Sequence, residues 1–186
     1  MKKTNIVWSI IVLVIFIALI VLGSRWAKKH PVVPKETVES QLSKITEPVK
    51  QIMQEGSGDG AVLGDTVTVL YMGALGNGTV FDTNIAEVAK QAGLDKEGRE
   101  YNPFAFKLGT TEVISGWNIG VTGMKKGEIA QVILPASYAY GAQGVPGIIP
   151  PNSPLVFQIQ VVDIQKAPIE VAPVTDKTKV APKAKK

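Results

Sequence analysis

A stretch of twenty residues rich in proline and glycine, 135–154, separates two apolar runs that read as buried strands, 130–134 (AQVIL) and 155–162 (LVFQIQVV). Connections longer than about 12 to 15 residues with no structure of their own are uncommon in compact domains, so this one constrains the fold more than any other segment. Five prolines (135, 146, 150, 151 and 154) and three glycines (141, 144 and 147) bar both a helix and a central strand. The same segment nonetheless carries Tyr138, Tyr140, Val145, Ile148 and Ile149. Apolar side chains on a proline-stiffened backbone make a wall, either over the domain's own core or beside a ligand. The residues alone leave both readings open.

Charge narrows the partners. The chain has 20 Lys/Arg against 16 Asp/Glu, yet residues 55–165 hold six basic against eleven acidic side chains, a net of −5. The basicity belongs to the ends. An acidic domain lacks the electrostatic footprint of a nucleic-acid surface. Without cysteine there are no disulfides, thiolate nucleophiles or zinc-thiolate sites. The single histidine, His30, lies between an apolar segment and a proline, which excludes a Ser-His-Asp triad and a multi-histidine metal site. No metal and no cofactor is expected.

At the N-terminus, residues 6–22 form an apolar run broken only by Ser9, long enough with 23–26 to span about 30 Å of hydrocarbon as a helix. Lysines 2 and 3 precede it, Arg25, Lys28 and Lys29 follow it, and Trp8 and Trp26 stand where interfacial aromatics sit. The run exceeds a usual signal-peptide core and no A-x-A site follows it. A retained single-pass anchor (1–29) with the rest outside the cytoplasm is the favoured reading, and secretion after signal cleavage is the alternative. Residues 30–48 then form a stalk, extended through HPVVPK and helical over 36–47.

The domain itself is expected over 49–166. A first strand falls at 50–55, closed by the flexible GSGDG. Residues 65–71 (DTVTVLY) alternate with the period of a strand on a core, a Gly76-Asn77-Gly78 turn follows, and 79–82 pairs back to deliver Phe81 and Asp82. Residues 83–102 read as an inserted helix beside the pocket, with Asn84 and Glu87 as a capping box, Ile85, Val88, Ala89 and Ala92 on one face and Gly93 as its stop. It serves either substrate choice or nothing beyond the surface. Residues 103–108 present Phe104 and Phe106 on one face of a strand. A helix over 112–121 spaces Val113, Trp117 and Val121 at i, i+4 and i+8, with Gly116 and Gly120 allowing close approach. Trp117 thus points into the sheet, where a plain core role is the bland alternative, as a turn or cap role is for Asp82. Lys125 and Lys126 sit in a solvated turn. Residues 167–186, rich in lysine, alanine and proline, cannot bury a core and are expected to be disordered.

The segment AYGAQGVPGIIPPNSPLVF resembles the C-terminal signature of the FKBP-type peptidyl-prolyl cis/trans isomerases, and VLYMG (69–73), VFDT (80–83), PFAFKLG (103–109) and VISGWNIG (113–120) resemble further motifs of that family in order. The resemblance, to a membrane-anchored, bacterial-like form, covers about 54–163. It implies an α+β fold in which a twisted antiparallel sheet of five to six strands curls around one short helix, here preceded by a single transmembrane helix. It also implies non-covalent catalysis of X-Pro rotation in an apolar aromatic pocket, assisting protein folding. Asp82, Tyr140 and Ile114 (through its backbone N–H) would be the catalytic groups. Tyr71, Phe81, Phe104, Val113, Trp117, Ile149 and Phe157 would bind the substrate, with Trp117 as the floor. Proline-containing polypeptides are the implied partners, and macrolide inhibitors a further ligand class. Val145 stands where many relatives carry a histidine, and Leu70 is a second departure. The other reading is a non-catalytic module anchored at the membrane that binds proline-containing segments or acts in a chaperone-like way, which would have no use for Asp82 and Tyr140 together.

Overall fold

The computed structural model describes residues 41–168. The expected anchor, the extended stalk and nearly all of the expected tail lie outside them. Gln41 and Leu42 are helical, within the segment read as a short helix whose earlier part is also outside. Among the described residues no helix is long and apolar enough to cross a membrane.

Among the described residues beyond Leu42, six strands and two α-helices follow in the order β1 (Val49–Gln54), β2 (Thr66–Leu75), β3 (Val80–Thr83), α1 (Ala86–Ala92), β4 (Phe104–Lys107), α2 (Ser115–Val121), β5 (Ile129–Leu134) and β6 (Leu155–Gln165). All pairings are antiparallel, in the order β1-β5-β6-β2-β3, and β4 joins β3 on the same edge of β2. Valine and isoleucine recur through the central strands because β-branched side chains pack well on a pleated surface. Val67, Val69, Val132, Leu134, Ile159 and Val161 are fully buried in one cluster with Trp117 and Val121. The α2 helix presses on this face closely enough that a Cβ at Gly116 would stand 2.5 Å from Leu134 and one at Gly120 2.7 Å from Val132. Only glycine permits that approach. The helix is shorter than expected: it begins at Ser115, and Val113 lies in a bend before it.

Successive side chains on a strand point to opposite faces, and β2 uses both. Tyr71 joins the cluster around Trp117, while Met72 packs with Val88, Val80 and Ile85 in a separate cluster. The inserted helix α1 therefore covers the other face of the sheet. The expectation of a helix beside the pocket is corrected, because Val88 needs an apolar partner and finds it in Met72. Ala92 is exposed, so the buried stripe of α1 is narrower than its spacing suggested. Gly93 ends the helix in the left-handed region (φ 70°), as expected. The capping box does not form. Ile85 occupies the N-cap position with no side-chain bond from it, and Thr83 Oγ1 instead accepts the Ile85 N–H at 3.1 Å. The Asn84 carboxamide is engaged on β2.

The GSGDG segment is pinned by a bridge from Ser57 to Lys126, and Lys126 itself pairs with Asp163 at 2.5 Å. The 135–154 connection opens with a 3-10 turn at Ala136–Tyr138 and then closes on itself. Val145 and Ile149 exchange N–H···O bonds of 2.8 Å in both directions, Gly144 N–H donates to Tyr140 O at 3.1 Å, and Asn152 N–H donates to Gly141 O at 2.9 Å.

Candidate active site

Where α2 faces the ends of β2, β3, β4 and β6, a cavity of about 510 Å³ opens, lined by aromatic and aliphatic side chains. Trp117, at 5% exposure, is its floor. Its ring meets Tyr71 at 5.0 Å and 79° and Phe157 at 5.4 Å and 86°, both edge-to-face, the arrangement that aligns the positive edge of one ring with the negative face of the next. Phe81 stands edge-on to Phe157 at 5.8 Å, and Phe104 lies 6.3 Å from Trp117. This packing needs Gly73 in β2, because a Cβ there would stand 2.7 Å from Phe81 and 2.8 Å from Phe157.

Polar groups sit on three sides of this apolar space. Tyr71 donates its hydroxyl to Asp82 Oδ2 at 2.6 Å, and Asp82 Oδ1 accepts the Thr83 N–H at 2.9 Å and Arg99 Nη2 at 3.1 Å. Arg99 Nη2 also donates to Thr83 O at 2.8 Å, and the guanidinium lies 5.1 Å from the Tyr101 ring centroid. Burial first, and then the bond to Asp82, push the Tyr71 hydroxyl far above its ordinary range. Burial and the Asp82 charge raise Tyr140 in the same sense. Both hydroxyls therefore keep their protons at neutral pH and remain donors. Ile114 precedes α2 in extended backbone (φ −58°, ψ 148°). Its carbonyl accepts the Trp117 N–H, while its own N–H finds no acceptor among the described residues. The turn leading to it is tied to α2 by Asn118, whose Oδ1 accepts the Gly109 N–H at 2.7 Å and whose Nδ2 donates to Thr110 O at 2.8 Å.

Nine of the ten residues named from the sequence line the cavity: Tyr71, Phe81, Asp82, Phe104, Val113, Ile114, Trp117, Tyr140 and Phe157. Ile149 does not. At 4% exposure it is sealed in the core cluster, because its backbone pairing with Val145 turns the side chain inward. Thr111 and Glu112 line the cavity and were not anticipated; their place immediately before Val113 was the available signal. Arg99 was also missed. It lies 17 residues beyond Asp82 in a stretch that reads as an ordinary charged loop.

An antiparallel sheet laid against one short helix, with an aromatic cavity and unspent donors between them, defines a site for a small apolar segment that also presents carbonyl groups. The chain belongs to the FKBP-type peptidyl-prolyl cis-trans isomerase family, whose model matches residues 58–162. It is 41% identical over 111 residues to FK506-binding protein 1 of Dictyostelium discoideum, covering 60% of this chain and 92% of that protein. It is 41% identical over 120 residues to peptidyl-prolyl cis-trans isomerase FPR2 of Saccharomyces cerevisiae, covering 64% and 79%. To FK506-binding protein 4 of Emericella nidulans it is 44% identical over 110 residues, 59% of this chain, and spans only 20% of that relative's length. The function that goes with this family is peptidyl-prolyl cis-trans isomerisation.

Proposed function

We propose that the chain rotates X-Pro bonds without a covalent step in the cavity floored by Trp117, with the Ile114 N–H and the Tyr140 hydroxyl donating to substrate carbonyls and Asp82 shaping the field around the amide. One observation carries this assignment: an N–H with no acceptor among the described residues, a protonated tyrosine and a fixed carboxylate all border a single aromatic cavity. The obstacle is a barrier of about 18 to 20 kcal/mol from amide resonance, which makes uncatalysed X-Pro rotation take tens to hundreds of seconds. A planar amide is more dipolar than the twisted transition state, so apolar walls disfavour the ground state. Donors held for the twisted geometry favour the transition state, and only such a difference accelerates the step.

Unfolded polypeptides that contain proline are the proposed substrates, and a macrolide would compete for the same cavity, in keeping with the names of the FK506-binding relatives. The domain, over 49–166, is held at a membrane by the apolar run 6–22 as a single-pass protein and faces away from the cytoplasm. Protease added to intact spheroplasts should then reach the domain while it stays with the membrane fraction; a mature N-terminus beginning after Gly23 would instead establish cleavage. For activity, exchange spectroscopy on a proline peptide with the full chain should reveal faster cis/trans exchange. A folded chain that binds the peptide yet leaves exchange unchanged would favour the binding-module reading.

A further inference from the structure

We propose that Asn84 is a positioning residue for isomerisation: its carboxamide fills a gap in the β2 edge and so sets Tyr71, Asp82 and the end of the 83–102 insert in one geometry. The proposal rests on the isomerase reading of the cavity.

The gap arises where β2 changes partners. Thr66 to Val69 pair with β4, and Met72 to Ala74 pair with β3, which leaves Leu70 and Tyr71 with no strand among the described residues opposite them on that edge. Asn84, 8% exposed, takes the missing place. Its Oδ1 accepts the Tyr71 N–H at 2.7 Å, and its Nδ2 donates to Val69 O at 2.9 Å and to Asn102 O at 3.1 Å. The backbone reinforces the contact, since the Asn84 N–H and the Thr83 hydroxyl both donate to Tyr71 O, at 3.3 and 2.6 Å. A carboxamide has the same donor and acceptor pair as a peptide unit, so this side chain continues the ladder where no strand does.

The consequence reaches the chemistry through two paths. Tyr71 is at once the residue held by Asn84 and the wall that meets Trp117 and holds Asp82. Asn102, the other residue held, closes the insert three positions after Arg99, which grips Asp82 from the opposite side. One side chain thus fastens both ends of the insert, holding Tyr71, which donates to the pocket carboxylate, and Asn102, three positions after Arg99, which donates to it as well. Aspartate cannot replace it, because an ionised carboxylate only accepts and would face two carbonyl oxygens. Serine reaches one partner but not all three.

The test compares the full chain with Asn84→Asp, Asn84→Ala and Asn84→Ser, measuring kcat and KM on a proline peptide, thermal unfolding, and the pH profile of kcat. In Asn84→Asp at neutral pH, kcat should fall by about three- to tenfold, the range expected for a mis-set hydrogen-bonded group, with KM changed less than about twofold. Acidification should raise its kcat relative to that of the unmutated chain at the same pH, because a protonated carboxyl again offers one donor and one acceptor, and the ratio removes what the Asp82 and Glu112 carboxylates bordering the cavity contribute to both chains. Variants that unfold at lower temperature but keep the unmutated kcat and pH profile would reduce Asn84 to a structural role and overturn the proposal. If the Asp and Ala variants do not fold, Asn84→Ser decides by the same kcat criterion. An inactive unmutated chain would overturn the isomerase reading, whereas an active one with unaffected variants overturns only the role of Asn84.

Discussion

Tyr138 donates its hydroxyl to Glu47 at 2.6 Å across 91 residues of chain, joining the segment just before β1 to the start of the proline-rich connection. The bond to the carboxylate, and then burial, raise the tyrosine's pKa, so the donor persists at neutral pH. Because the connection has its own internal bonds, Tyr138→Phe should loosen the residues before β1 and leave the connection intact. Hydrogen exchange would report this: amides near Glu47 should quicken while those of Gly144, Ile149 and Asn152 stay slow. Equal quickening in both would mean that the connection leans on Glu47.

Asp82 and Tyr140 are suitable probes of catalysis, because both border the cavity rather than fill the core. Asp82→Ala and Tyr140→Phe should lower kcat/KM by about two- to tenfold, the effect of one hydrogen bond worth about 0.5 to 1.5 kcal/mol, while peptide affinity changes less. A matching loss in affinity and turnover would assign them to uniform binding.

Trp117 will behave differently. Its ring touches Tyr71, Phe104, Phe106 and Phe157, so Trp117→Ala should cost about 3 to 5 kcal/mol in urea unfolding as a core truncation. Lost activity in that variant alone would say little about chemistry. A cost below about 1 kcal/mol would mean that the floor is not part of the core.

The Arg99–Asp82 pair is partly exposed, its side chains retaining 33% and 41% of their accessible surface, so solvent screens most of its Coulomb energy. Arg99→Ala should change stability by no more than about 1 kcal/mol. Its effect on kcat/KM should largely vanish when Asp82 is already alanine, because both act through one network. Independent, additive effects would disconnect the insert from the pocket carboxylate.

Asp65 should govern part of the acid stability. Burial opposes its charge, but N–H donation from Val62 and Ala167 and the Lys166 ammonium outweigh burial and leave the pKa below its ordinary value. A depressed folded pKa contributes stability that is present above the unfolded value, near 3.9, and is lost as pH falls through the folded one. Asp65→Asn should therefore be less stable than the unmutated chain at pH 7, with the difference shrinking below about pH 4. A difference that persists at pH 2 would assign the effect to packing.

What could be read from the sequence followed local pattern. Alternation in DTVTVLY, the Trp117 spacing and the proline-rich connection each depend on residues close together in the chain, and each led to the element found. Asn84 misled for the same reason: its spacing to Glu87 fits a helix cap, but a carbonyl and an N–H of β2 and the carbonyl of Asn102 compete for its carboxamide and win. The face covered by α1 was equally hidden, because Val88 would suit either side of the sheet until β2 places Met72 opposite it. Arg99 lay beyond local reading, since nothing near it in sequence announces a carboxylate 17 residues back.

The bonds that close the 135–154 connection on itself bear on timing. Tyr140 stands on a loop already braced by backbone bonds at Gly141, Gly144, Val145, Ile149 and Asn152 before a substrate arrives, so a visiting chain finds a donor that neither has to be recruited nor can easily be moved. Adaptation then falls to the visitor: segments that can bend toward the fixed wall will dwell there, and those that cannot will leave unrotated. Such a site would sort unfolded chains by their own pliancy around proline more than by any single flanking side chain.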